Sequence, residues 1–198
     1  MTPEKLQLLM KAFKTATLLP SKELESCGLS RADLQAAAKD GLLSRIATGL
    51  YRFAEAEVTE NHSLVQATRI APQGVVCLLS ALRFHGITTQ APHEVWIAVP
   101  RDSWRPKAKG IRLVQFAKNA LGEGIEAHKI EGASVRITSP ARTVADCFKF
   151  RNKIGLDVAI EALRDARASR KCSVDNLLRQ ARLCRVAKVM RPYLEALS

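Results

Sequence analysis

The stretch SRADLQAAAKDGLLSRIATGLYRF, Ser30 to Phe53, decides the fold. Ser30 is a good helix N-cap, and Asp33 three residues later can complete a capping box. A helix from Arg31 to Asp40 follows, rich in alanine, and Gly41 ends it as a glycine just past a helix does. Leu42 to Phe53 then reads as two short strands around the glycine-containing tip Thr48-Gly49, a hairpin signal.

Upstream, Leu6, Leu9, Met10 and Phe13 recur at helical spacing, so residues 4–15 read as an amphipathic helix. Pro20-Ser21 restarts a short helix to Ser26, and Gly28 breaks it. Helix, helix, glycine turn, helix and hairpin are the plan of a winged helix-turn-helix, expected here over residues 1–56. On the third helix Leu34, Ala37 and Ala38 face inward. Arg31, Gln35 and Lys39, four residues apart, share an outward face long enough to reach base edges or phosphates. Ser30 offers backbone N–H groups at the helix start, and the tip at Thr48 can approach a sugar-phosphate backbone. With Ile46, Tyr51 and Phe53 packed inward, Arg45 and Arg52 are expected to point outward together. These seven residues, Ser30, Arg31, Gln35, Lys39, Arg45, Thr48 and Arg52, are the candidate DNA-contacting set.

Residues 57–198 read as a second, larger domain. Thr59 can cap a helix from Glu60 to Ile70, and the apolar run Val75 to His85 turns helical toward Gly86. Residues 94–99, 111–116, 124–130 and 133–138 carry strand patterns, which predicts a small antiparallel-type sheet of about four strands. Ser139-Pro140 is a strong helix start, with Val144, Cys147 and Phe148 as its inner stripe. Further helices are expected from Leu156 to Ala168, from Ser173 to Leu183, and from Val186 to Leu197 around Pro192. The fold class is α+β.

The net charge of +12 points to an acidic partner such as nucleic acid. Residues 1–60 hold eight Lys/Arg and eight Asp/Glu, so the excess lies entirely beyond them. Two segments concentrate it: Arg101, Arg105, Lys107, Lys109, Arg112 and Lys118, and then Arg167, Arg170, Lys171, Arg179, Arg182, Arg185, Lys188 and Arg191. The five cysteines are odd in number and lack C-x-x-C spacing, so neither a zinc site nor a disulfide framework is expected. No apolar run approaches a membrane span, no secretion signal opens the chain, and a cytoplasmic location is expected. No catalytic motif stands out; Ser80, His85 and Asp146 could be drawn as a triad, but nothing in their spacing favours one. No enzyme activity, cofactor or metal is expected.

The residues resemble the AbiEi family, antitoxins of type IV toxin–antitoxin systems. Gly41-Leu42-Leu43-Ser44-Arg45 with Gly49-Leu50-Tyr51-Arg52 is similar to that family's helix-to-wing passage. Cys77-Leu78-Leu79-Ser80-Ala81-Leu82-Arg83-Phe84-His85-Gly86, Glu94-Val95-Trp96-Ile97-Ala98, Ser139-Pro140-Ala141-Arg142-Thr143-Val144-Ala145-Asp146 and Arg191-Pro192-Tyr193-Leu194-Glu195 resemble its later segments. The resemblance implies a winged helix that binds double-stranded DNA at promoter inverted repeats, with a homodimer on the DNA possible. It also implies a C-terminal domain that counteracts a nucleotidyltransferase toxin without a stable complex. The alternative is an RNA- or protein-binding module that uses the basic second-domain surface.

Overall fold

The computed structural model describes residues 1–103 and 108–197, with the backbone alone described at residues 118 and 119. The chain forms two compact units. The first comprises Met1–Pro72 together with Lys129–Val135, and the second Gln73–His128 with Arg136–Ser198. The expected boundary at 56/57 falls inside the first unit.

In the first unit the order is α1 (Pro3–Ala12), β1 (Leu18–Pro20), α2 (Ser21–Ser26), α3 (Arg31–Lys39), β2 (Leu43–Ala47), β3 (Leu50–Phe53) and α4 (His62–Ile70). The three strands form one antiparallel sheet in the order β1-β3-β2. Strand β1 has no counterpart in the sequence reading, because three residues are too few to show a period. Leu9, Leu19, Leu24, Leu34, Ala37 and Leu43 form the core between sheet and helices, with Phe13 stacked on Phe53 at 5.8 Å. Each of these buried leucines contributes on the order of 1.5–3 kcal/mol of transfer free energy.

Thr59 does not cap a helix. Its amide and hydroxyl donate to one oxygen of Glu131, at 2.7 and 2.8 Å, and α4 starts later, at His62. The other Glu131 oxygen accepts from the Thr17 hydroxyl and bonds His62 Nδ1 at 2.7 Å. The Glu131 side chain is 2% exposed. Burial works to raise its pKa, but the bonds from Thr17, His62 and Thr59 outweigh this and hold it at about 2. Gly132 beside it has φ +79°, and a Cβ there would stand 1.7 Å from the Thr15 carbonyl oxygen. Only glycine fits.

After α4 the order is β4 (Val75–Val76), α5 (Leu78–His85), β5 (Val95–Pro100), β6 (Ile111–Phe116), a 3-10 turn (Lys118–Leu121), β7 (Ile125–Ile130) and β8 (Ala133–Thr138), the end of β7 and the start of β8 belonging to the first unit and the rest to the second. Then come α6 (Pro140–Lys149), α7 (Arg151–Ile154), α8 (Leu156–Ala168), α9 (Val174–Leu183) and α10 (Ala187–Glu195). The sheet has five strands in the order β6-β5-β4-β8-β7. This corrects the expected antiparallel-type sheet of about four. Strands β5 and β6 run parallel, as do β4 and β8. Alternation reveals which residues share a face but not which way a neighbouring strand runs, and β4, two residues long, is too short to leave a pattern. Val95 to Val99 are all buried, as befits an inner strand.

Helix α6 is more deeply set than a single inner stripe implies: every residue from Ala141 to Phe148 is buried. Helices α5, α8 and α9 pack around it. Its Arg142 is buried beside Asp146, with Nε to Oδ2 at 2.9 Å, and its remaining nitrogens donate to the carbonyls of Glu123 (2.9 Å) and Ala120 (2.8 Å). The Cys184 thiol donates to the second Asp146 oxygen at 3.4 Å. The Arg142–Asp146 pair thereby ties α6 to the 120–123 segment and to Cys184 at the end of α9. Among the described residues no helix is long and apolar enough to cross a membrane.

Two predictions follow from these anchors. Because the Glu131 pKa is lowered from 4.5 to about 2, its stabilisation is complete above pH 4.5 and is lost as pH falls toward 2. Hydrogen exchange should show residues 13–20 and 57–65 losing protection first over that range, and Glu131→Gln should flatten this pH dependence; an unchanged profile would refute the anchor. Arg142→Ala strands the buried Asp146 and is expected to cost about 3–5 kcal/mol in urea unfolding; a loss under 1 kcal/mol would contradict the assigned role.

Candidate nucleic-acid interface

Helix α3 begins with the capping box read from the sequence. Ser30 Oγ accepts from the Asp33 amide at 3.2 Å, and the Ser30 amide donates to Asp33 Oδ2 at 2.9 Å. Lys5 Nζ, 2.6 Å from Asp33 Oδ1, and then Ser30 lower the Asp33 pKa to about 2. Ser30 is thus committed to its cap, and its amide is already occupied by a carboxylate. The Ser30 amide itself is therefore not open to a phosphate.

Beyond the cap, Arg31, Gln35 and Lys39 are exposed while Leu34 and Ala37 are buried. The outward face of α3 is therefore built as its spacing predicts. Arg31 Nε donates to Glu25 Oε1 at 3.1 Å, which orients the guanidinium and leaves its terminal nitrogens outside that bond.

The hairpin departs from expectation. Leu43 pairs with Phe53 and Arg45 with Tyr51, so all four side chains share the face that looks toward the helices. Arg52 pairs with Ser44 and Leu18 on the opposite face. There Leu18 and Leu50 are buried, and the Arg52 Nε is buried without a hydrogen-bond partner. Arg45 and Arg52 therefore do not point outward together. The reason is parity: buried Leu43 sets the inner face, and Arg45 two residues on inherits it. A register shift between Arg45 and Ala47 then turns the tip.

Because Arg45 is exposed at the end of that face, it meets α3 across a groove of about 470 Å³. Arg31, Gln35, Arg45 and Thr48 line it, so the structure brings four of the seven candidates together. Ser30, Lys39 and Arg52 are not among the lining residues. Ser21 and Tyr51 line it unforeseen as contact residues. The Ser21 amide donates to the Gly49 carbonyl at 2.8 Å, tying the wing tip to the start of α2. Gly49 has φ +69°, and a Cβ there would lie 3.3 Å from Ser21 Oγ.

In the second unit Arg101, Lys109, Arg179, Arg182, Arg185 and Lys188 are exposed, while Arg105 and Lys107 lie outside the described residues, as does Trp104. Arg179 is engaged by Glu123 at 2.7 Å. Arg182, Arg185 and Lys188 carry no ion pair among the described residues, and Arg185, at φ +60°, makes the break between α9 and α10. The residues of the paper triad are each used elsewhere. Ser80 Oγ accepts from the Trp96 amide at 2.9 Å, His85 Nε2 donates to the Thr138 carbonyl at 2.7 Å, and Asp146 holds Arg142. Burial lowers the His85 pKa. Among the described residues there is no group of three or more His, Cys, Asp or Glu placed to hold a metal.

This helix-and-wing arrangement agrees with comparison to known proteins. Residues 2–90 match the family model described as transcriptional regulator, AbiEi antitoxin N-terminal domain. Residues 2–90 are thus similar to an AbiEi antitoxin N-terminal domain. The matched span runs from α1 through α5, so it includes the wing and the Cys77–Gly86 segment. The Ser139–Asp146 and Arg191–Glu195 segments lie outside it. The fold is similar to the crystal structure of the RV2827C protein from Mycobacterium tuberculosis, with TM-score 0.63 and 14% identity over 98% of this chain and 82% of that one. No curated protein sequence matches significantly.

The wing tip can be tested locally. Gly49→Val forces a β-branched residue into the left-handed region and should lower unfolding stability by about 1–2 kcal/mol, measured by urea titration. Stability equal to the parent would contradict the tip geometry.

Proposed function

We propose that the chain is a DNA-binding antitoxin that represses its own operon through the groove between α3 and the wing. The observation that carries this reading is the convergence of Arg31, Gln35 and Arg45 on one groove behind a slim, alanine-rich helix. Arginine and glutamine are the side chains that read guanine and adenine edges by paired hydrogen bonds, and a helix without bulky outward residues can enter a major groove. Thr48 and Gly49 lie where a small tip can approach the sugar-phosphate backbone. Two copies on inverted repeats would supply the second half-site. The second unit, with its excess of basic residues, is assigned to counteracting a nucleotidyltransferase toxin, by function rather than by a stable complex.

A second reading is favoured by a specific observation. Arg182, Arg185 and Lys188 are exposed around the α9–α10 break and carry no ion pair among the described residues, whereas the first sixty residues are electrically balanced. On that reading the basic surface takes an acidic partner, RNA or protein, and the winged helix is a scaffold.

Titration against a duplex from the region upstream of the gene, at several salt concentrations, separates the two. Arg31→Ala and Arg45→Ala should each cost about 1–3 kcal/mol of binding and relax sequence preference. Arg52→Ala should leave affinity unchanged. Equal affinity for scrambled duplex, or loss on Arg182→Glu with none on Arg31→Ala, would overturn the first reading in favour of the second.

A further inference from the structure

The bond from Arg31 to Glu25 joins two positions whose backbone is fixed. Glu25 sits in the last turn of α2, where Leu24 beside it is fully buried and its own carbonyl accepts from the Gly28 amide at 3.0 Å. Gly28, at φ +94°, turns the chain, and the Leu29 amide closes back on the Leu24 carbonyl at 3.3 Å. Arg31 is the first residue of α3, set by the Ser30–Asp33 capping box. The carboxylate of Asp33, two residues on, does not compete for it, because Lys5 holds one of its oxygens and Ser30 the other. The Arg31 side chain is 86% exposed and that of Glu25 33%. An exposed pair of this kind adds little to stability. Its consequence is direction.

Direction matters because of the donors that Arg31 has left. A guanidinium carries five N–H groups in a rigid planar fork. Nε is on Glu25, whereas Nη1 and Nη2 carry no hydrogen bond among the described residues. Arg31 lines the α3–wing groove and Glu25 does not, so Glu25 acts there only through the guanidinium it holds. Two parallel donors need two adjacent acceptors. In the major groove guanine shows them, O6 and N7, while adenine sets a donor beside its N7, cytosine shows a donor and thymine a single acceptor. A phosphate also offers two acceptors, but it brings negative charge toward the Glu25 carboxylate, a cost that a neutral base edge does not meet.

We propose that Glu25 is a positioning residue for sequence reading: it holds Arg31 Nε, presents the Nη1 and Nη2 pair to one guanine in each half-site, and disfavours phosphate at that place. This inference rests on the reading of the α3–wing groove as a DNA interface.

Fluorescence anisotropy of the full chain with the upstream duplex tests it, each guanine being replaced in turn by 7-deazaguanine, which lacks the N7 acceptor. One replacement per half-site should weaken binding by about five-fold or more, the scale of a lost bidentate contact. Arg31→Ala should abolish that penalty. Glu25→Ala, with an unchanged melting temperature, should reduce it to less than about two-fold and should tighten binding to scrambled duplex, as expected when a carboxylate is removed beside phosphates. Glu25→Gln, which still offers Nε an acceptor, should restore the penalty in part. A parent chain that binds upstream and scrambled duplexes equally overturns the DNA-binding reading, and this inference with it. A parent that prefers the upstream duplex but has no guanine sensitive to the replacement, or a penalty undiminished in Glu25→Ala, overturns this inference alone.

Discussion

The candidate interface depends on one hydrogen bond and the backbone shape that permits it. The Ser21 amide donates to the Gly49 carbonyl, and Gly49 adopts a left-handed conformation open to few other residues. Together they fix the wing tip to the helix pair. Given that tether, the β2–β3 register decides which side chains face α3: Leu43, Arg45, Tyr51 and Phe53 on one side, Ser44 and Arg52 on the other. The groove is thus a consequence of strand parity and a tethered tip as much as of the helix sequence.

The winged helix was legible because its determinants are local. A capping box occupies four residues, and a glycine stop one. The outward face of α3 follows from helical spacing alone. What escaped the sequence was set by distant contacts. The side of the sheet taken by Arg45 depends on Leu43 being buried. Thr59 looked like a cap only because its partner, Glu131, is 72 residues away. The five-stranded sheet was undercounted because β4 is two residues long, and its parallel pairs leave no trace in alternation. Arg142 and Asp146 stand four residues apart, the spacing of an ion pair on a helix. Their burial, and the carbonyls that share the guanidinium, could not be read.

Charge follows a similar division. The α3–wing groove sits in a segment whose charges cancel, and Glu25 holds one of its two arginines. Specific contact in such a groove relies on shaped, paired hydrogen bonds more than on bulk attraction. The excess positive charge belongs to the rest of the chain, where Arg182, Arg185 and Lys188 stand free among the described residues. Bulk attraction to phosphates, with its steep salt dependence, is the kind of contribution such a surface makes. On the proposed function, this division would separate sequence reading from general affinity.

Amide chemical-shift mapping on isotope-labelled protein, with the upstream duplex added stepwise, interrogates the groove most directly. Residues 31–39 and 45–51 are expected to shift together and to saturate at one chain per half-site. Movement confined to residues 182–191, with the α3 and wing amides unchanged, would contradict the placement of DNA in this groove.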